Sequence, residues 1–228
     1  MGGAGVPQPP PPSALNTFIF LPAGRYAPAT VTRRDRHKQE RLDRIRAAAW
    51  DLFRTQGYEH TTIRQISERA DVAVGTVNVL GGSKASLLIS LFQAAIEDRL
   101  REFRVDAAAP LEDRLYDCLN FFLCFYEAQP DLARHFMRET LYGDRTPEER
   151  GEELARIDAL MGLISGWLTQ EQQAGRARAD VEPLLFSQTV FALYLLTLQS
   201  WLAGLYPLND LRATLRRGLQ ATVLALRP

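Results

Sequence analysis

The sequence predicts an all-α protein. Three observations carry this. Apolar residues recur at helical spacing in segment after segment from residue 36 onward, no segment alternates apolar and polar residues with a period of two, and no Asn-Gly or Asp-Gly pair marks a hairpin. The 228 residues are 46% apolar and 24% charged, which excludes wholesale disorder and collagen-like repeats. This length permits one large domain or two modest ones.

The elements follow in order. Residues 1–32 read as a disordered leader, because Pro7 and Pro9 to Pro12 cannot enter a helix interior or the centre of a sheet. The patch Phe18-Ile19-Phe20-Leu21 is too short for a secretory h-region. From Arg36, Ile45, Ala48, Ala49, Leu52 and Phe53 form one apolar stripe, ended by Gly57. Thr62-Ile63-Arg64-Gln65 is a capping box opening a second helix, whose inner face is Ile63, Ile66 and Ala70. After a break at Asp71, a third helix spans Gly75 to Leu80 and stops at Gly81-Gly82. Ser83 then caps a fourth, in which Leu87, Leu88, Leu91, Phe92, Ala95 and Ile96 repeat to about Phe103. Five more helices are expected near 111–128, 131–141, 148–174, 182–206 and 208–226, separated by Gly- and Pro-containing breaks.

Charge is unevenly placed. Residues 31–86 carry 11 basic and 7 acidic side chains, whereas residues 87–228 carry 15 and 20. Arg33, Arg34, Arg36, Lys38, Arg41, Arg44 and Arg46 crowd the start of the first helix. A basic N-terminal third on an acidic body points to an anionic partner for the first third alone. Cys118 and Cys124 fit neither a disulfide framework nor a zinc site and read as buried thiols of a reducing cytoplasm. His37, His60 and His135 lack partners at ligand spacing, and no nucleophile elbow, P-loop or dinucleotide fingerprint is present. No enzyme, metal or cofactor is therefore expected. Glu148, Glu149, Glu152 and Glu153 read as a solvated helix start. Residues 183–209 hold no charge, but the polar side chains among them argue for burial against a core and a partner rather than membrane insertion.

Two short helices around a tight turn, Thr62 to Ala70 and Gly75 to Leu80, make a helix-turn-helix candidate, in which the second helix enters the major groove. The string that contains it has Ala48-Ala49, Leu52-Phe53, Gly57-Tyr58, Thr61-Thr62-Ile63, Ile66, Ala70, Val72, Gly75-Thr76-Val77, Ser83-Lys84 and Leu87-Leu88. It resembles the N-terminal domain of TetR-family transcriptional regulators. The segment Ala174-Gly175-Arg176 to Glu182-Pro183 resembles the loop before that family's dimerising helix pair.

The resemblance implies a three-helix DNA-binding domain over 33–86 and a helical ligand-binding and dimerisation domain over 87–228. The partners implied are an operator duplex, a small apolar effector and a second copy of the chain in the cytoplasm, with no membrane. The function implied is that of a ligand-responsive repressor. Lys84 matches a phosphate-contacting lysine, Thr62 a helix cap facing phosphate, and Arg64 a position that reads a base in some members. Val74, Thr76, Asn78 and Val79 lie on the recognition helix, where Asn78 can pair with adenine and Val79 can touch a thymine methyl. The family usually has aromatics at the places of Asn78 and Gly81. That departure keeps open a second reading, a member that senses a ligand without reading a DNA sequence. In the family, helices equivalent to those of the second domain enclose the effector. Asn120, Phe122, Tyr126, Trp167, Gln188 and Phe191 are the corresponding candidates here.

Overall fold

The computed structural model describes residues 32–228; apart from Thr32, the expected leader lies outside them. Among the described residues there are nine helices and no strand. They are α1 (Arg33–Gln56), α2 (Ile63–Arg69), α3 (Val74–Gly81), α4 (Lys84–Glu102), α5 (Leu111–Glu127), α6 (Pro130–Tyr142), α7 (Pro147–Gln173), α8 (Pro183–Leu202) and α9 (Leu208–Leu224).

α1 begins at Arg33, ahead of the expected Arg36, because Thr32 and Asp35 form a capping box. The Thr32 hydroxyl accepts from the Asp35 amide at 3.2 Å, and Asp35 accepts in return from the Thr32 amide at 3.1 Å. Residues 32–41 are all exposed. Burial starts at Ile45 and continues through Ala48, Ala49 and Phe53, against which α2 and α3 pack. The turn between α2 and α3 closes on Asp71 at φ 52°, where the Val72 amide reaches back to the Ser67 carbonyl at 3.1 Å. This is a Schellman closure made by an aspartate in the left-handed region, where glycine is usual.

α4 leaves this head and packs on α1 and on α6. The body is α5 to α9: α7 lies along α8, and α9 covers α5 and α8. α8 stops at Leu202 rather than 206. Gly204, at φ 72°, lets the Leu205 amide bond the Ser200 carbonyl at 3.0 Å and the Gly204 amide bond the Trp201 carbonyl at 2.8 Å. The leucine stripe of α9 turns inward: Leu208, Leu215 and Leu219 are buried in the chain's own core. The uncovered apolar face belongs to α8, where Leu184, Leu185 and Leu196 are exposed on the same side as Ala192. α8 is long and apolar enough by length and composition to cross a membrane; here it packs against α6, α7 and α9.

Two sequence expectations for polar groups differ from the structure. Cys118 is buried, and that burial pushes its thiol up to about 12, but Cys124 is exposed and its sulfur accepts from Arg212 at 3.3 Å. Of the glutamates at the start of α7, Glu149 accepts from the Ser86 hydroxyl at 3.2 Å and Glu153 from the Gln93 amide at 2.8 Å, so this row joins α7 to α4 instead of facing only water.

Inside the body, Arg114 is almost wholly buried. It donates to Glu171 at 2.5 Å, lies 5.8 Å over the Trp167 ring, and shares Glu171 with Arg176. The Arg176 hydrogen bond and the two guanidinium charges hold the Glu171 carboxyl below its usual range. A carboxyl with a depressed folded pKa contributes stability above its unfolded pKa, and that stability is lost as pH falls through the folded value. Stability in urea should therefore fall as pH drops below about 4.5, the ordinary value for a glutamate, and Glu171→Leu should flatten that dependence. At pH 7, Glu171→Leu should cost about 3–5 kcal/mol by leaving Arg114 buried and unpaired, and Arg114→Leu in the same chain should recover much of the loss.

Candidate functional site

The exposed surface of the head is formed by three pieces of chain. The first is the solvated start of α1 with Arg33, Arg34, Arg36, Lys38 and Arg41. The second is the start of α2. Thr62 caps it, accepting from the Gln65 amide at 3.2 Å, while Gln65 accepts from the Thr62 amide at 2.8 Å. Arg64, one turn in, is exposed and donates to Glu68 at 2.9 Å. That pair is solvent-bathed and contributes little to stability, so Arg64 can exchange Glu68 for another acceptor at small cost.

The third piece is α3. Val77 is its one fully buried residue, while Val74, Gly75, Asn78 and Val79 are exposed, Val79 at 83%. Thr76 is half-buried. An aliphatic side chain held almost entirely in water at the middle of a short helix has no packing role there. Methyl groups at such a position match the C5 methyl of thymine. α3 is sparingly capped: Ala73 precedes it and offers no side-chain oxygen to its first amides.

Gly81 and Lys84 explain how α3 is held. A Cβ at Gly81 would come within 2.9 Å of Leu87 Cδ2 and 3.3 Å of Ile45 Cγ2, so the end of α3 sits closer to α1 and α4 than an aromatic there would permit. Lys84 has a local role. Its ammonium donates to the Tyr58 carbonyl at 2.9 Å and stands 4.2 Å over the Tyr58 ring. No local pattern signals this contact, since the two residues are 26 positions apart.

Tyr58 in turn joins head to body. Its ring lies 4.7 Å from that of His135 on α6 and 5.3 Å from Phe53 on α1. His135 Nδ1 is 3.4 Å from Glu59, which also accepts from Arg138 at 3.2 Å. Burial lowers the pKa of His135 and pushes the Tyr58 phenol up to about 12, so both favour their neutral forms.

The six candidates for the effector site do not converge on one place. Phe122 and Phe191 form one aromatic layer with Tyr194, at 6.3 and 6.1 Å from its ring, whereas Tyr126 belongs to a second ring set with Phe92, Phe125 and Phe136. Asn120 is occupied, accepting from Arg212 at 2.9 Å across α5 and α9. Trp167 is buried apart, under Arg114. Gln188 is exposed on the outer face of α8. Tyr194 belongs to the set although helical spacing alone made it one core aromatic among many. Tyr126 and Tyr194 are 7% and 5% exposed, and neither hydroxyl has a hydrogen-bond partner among the described residues. Burial raises both phenols well above the ordinary value, which leaves two protonated donors beside an apolar layer. No group of three or more His, Cys, Asp or Glu among the described residues could hold a metal ion.

Known proteins are similar to this chain in sequence and in fold. The model of the bacterial regulatory proteins of the tetR family matches residues 45–91, the span from the burial stripe of α1 to the first turns of α4. The transcriptional repressor KstR of Rhodococcus jostii (strain RHA1) is 28% identical over 176 residues, covering 72% of this chain and 74% of that protein. Among solved structures, the fatty acid degradation regulator FadR of Bacillus halodurans superposes with a TM-score of 0.59 at 22% identity, covering 80% of this chain and 94% of its own. The repressor FadR of Thermus thermophilus, solved with lauroyl-CoA, gives 0.56 at 23% identity, covering 80% and 93%. These two structural likenesses concern the fold.

Substitution at the α3–α4 joint should separate packing from contact with a partner. Gly81→Ala should cost about 1–3 kcal/mol in a urea melt, because Leu87 and Ile45 must shift. Lys84→Met should cost about 1–2 kcal/mol by removing the bond to Tyr58 with no DNA present. A Lys84→Met chain as stable as the parent would show that the Tyr58 contact contributes nothing.

Proposed function

Because the chain belongs to the TetR family of bacterial regulatory proteins, we propose that it is a ligand-responsive transcriptional repressor. In this reading α2 and α3 dock a DNA duplex, and a small apolar effector taken up by the body releases it. DNA as partner places the protein in the cytoplasm, and nothing in this function asks for catalysis. The observation that carries the DNA half is the exposed face of α3, Val74, Gly75, Asn78 and Val79, set beside the capped start of α2 and the cationic start of α1. α3 has no cation, so phosphate affinity comes from Arg33 to Arg41 and from α2, while Asn78 and Val79 read adenine and thymine. Thr62, Arg64, Val74, Thr76 and Lys84 complete the proposed contact set; Lys84 keeps two of its three protons free after bonding Tyr58.

The effector half rests on the aromatic layer of Phe122, Phe191 and Tyr194, on Tyr126 of the Phe92–Phe125 ring set, and on the two tyrosine hydroxyls without a hydrogen-bond partner. An apolar chain ending in a carbonyl would fill this layer and accept from both phenols. The lauroyl-CoA held by the Thermus thermophilus FadR structure has that chemistry, so a fatty acyl thioester is the effector class proposed here. The effector shifts the population only if it binds the DNA-incompetent arrangement more tightly. The route runs from Tyr126 through Phe92 and Phe136 to His135, Tyr58 and α1.

The second copy in the proposed homodimer covers the outer face of α8, where Leu185 and Leu196 are 58% and 66% exposed. A symmetric pair of such faces would remove this surface from water.

Titration on the chain's own upstream DNA and on scrambled duplexes at several salt concentrations tests the DNA half. Asn78→Ala and Val79→Ala should each cost about 1–3 kcal/mol on the preferred duplex and almost nothing on scrambled DNA. Replacing Arg34 and Arg36 should weaken both about equally and flatten the salt slope by roughly 0.9 per lost phosphate contact. If the parent chain prefers no duplex, the protein is a member that senses without reading sequence.

For the effector, Tyr126→Phe and Tyr194→Phe should keep the fold and DNA binding, yet each should raise the lauroyl-CoA concentration needed for release roughly 2–10-fold. An unchanged response in both would remove the phenols from the site. Leu185→Glu with Leu196→Glu should convert a dimer to a monomer in ultracentrifugation, and a monomeric parent chain would refute the α8 interface.

A further inference from the structure

Where α1, the end of α3, α4 and the start of α7 meet, a cleft opens that lies apart from the aromatic layer. Its floor is apolar, from Leu42, Leu80 and Leu87. Its polar lining includes Arg46 from α1, Ser86 and Ser90 from α4, and Arg145 from the α6–α7 connection. The Nε atoms of Arg46 and Arg145 are both buried from solvent and both lack a hydrogen-bond partner. Arg46 makes no hydrogen bond or ion pair among the described residues, and Arg145 donates only to the Glu149 carbonyl, at 2.9 Å. No carboxylate stands within ion-pairing distance of either guanidinium among the described residues.

Two carboxylates do line the cleft. Glu149 is committed elsewhere: one oxygen accepts from the Thr146 amide at 3.0 Å and the other from the Ser86 hydroxyl at 3.2 Å. Glu152 is exposed at the rim. A buried guanidinium nitrogen without an acceptor is costly, and native structures explain such groups by an ion or water in place. Two of them at one opening, from elements far apart in the chain, form a donor set suited to a tetrahedral oxyanion; the Ser86 and Ser90 hydroxyls nearby already donate, to Glu149 at 3.2 Å and to the Leu87 carbonyl at 3.0 Å. Guanidinium groups match the paired oxygens of a phosphate in particular.

We propose that this cleft binds a phosphate group, held between Arg46 of the head and Arg145 of the body. The group is inorganic phosphate or the phosphate of a larger molecule; the cleft recognises the same oxygens in both. Because its two guanidinium ligands lie on opposite sides of the head–body joint, an occupied cleft ties head to body without touching the aromatic layer or the α3 face.

The test uses the whole chain without DNA, so it does not depend on the proposed repressor function. At constant ionic strength, 10 mM inorganic phosphate in place of chloride should raise Tm by about 3–6 °C, and calorimetry should give a Kd near 1 mM. A second arm with coenzyme A shows whether a phosphate on a larger molecule binds more tightly. Arg46→Gln and Arg145→Gln should each weaken binding at least tenfold. Arg46→Lys should retain part of it, and Arg150→Gln, whose guanidinium bonds the Gly143 carbonyl outside the cleft, should leave it unchanged. Hydrogen exchange should slow in both α1 and residues 143–150 when phosphate is added. A Tm that does not respond to either probe overturns the site, as does binding that survives both glutamine variants. Protection confined to one side of the joint overturns the bridge.

Discussion

The Phe92 ring on α4 is the contact through which head and body share one core. It meets Trp50 of α1 edge-on at 5.8 Å, stacks on Phe136 of α6 at 4.8 Å, and touches Phe125 and Tyr126 of α5 at 5.6 and 6.4 Å. Aromatic pairs of this kind add about 0.5–1.5 kcal/mol each beyond area burial, and four converge on one side chain. A close-packed ring with neighbours on three other helices cannot tilt alone. Tyr126 and Trp50 of α1 thus touch the same ring, a second link between body and head beside the Tyr58–His135 contact. The Tyr58–His135 contact and the Lys84 bond lie on the same joint and restrict which tilts of the head are open.

How much of this was legible in the sequence follows from the range of the interaction concerned. Periodicity is local, so the helices of the body appeared nearly residue for residue; α8 alone ran short, because the left-handed Gly204 was not recognised as a helix stop. The head was legible because its turn chemistry is also local, in Thr62, Gln65, Asp71 and the Gly81-Gly82 pair. The start of α1 lies three residues ahead of the expected Arg36, because the Thr32-x-x-Asp35 capping box stands a dozen residues before the apolar stripe that carries the periodicity.

Contacts between distant positions left no trace in the pattern. The dipole at a helix start disfavours a cation such as Lys84; the carbonyl and ring of Tyr58, 26 positions away, supply the compensation. The neighbours of the α9 leucines and of Gln188 are equally invisible to a local pattern. A stripe read from one sequence shows that a face is apolar without saying which neighbour covers it, and here α5 and α8 cover α9 while α8 keeps its own outer side open. The buried glutamate at position 171 was equally silent, since its partner Arg114 is 57 residues away.

The solvated start of α1 has a kinetic consequence. Residues 33–41 make no buried contact, yet the capping box at Thr32 and the pairs Arg33–His37 and Gln39–Asp43 keep them helical. At 1.5 Å per residue they project cations roughly 13 Å along a stiff rod rather than on a floppy tail. At physiological salt that length exceeds the distance over which charge is screened, roughly 8 Å. Charge carried beyond the screened layer around the acidic body acts before docking begins. It enlarges the target that a drifting polyanion can strike and orients the head toward it. Shortening this rod would slow capture and leave the lifetime of the docked state nearly untouched, so the arm sets how quickly this protein finds its partner more than how long it stays.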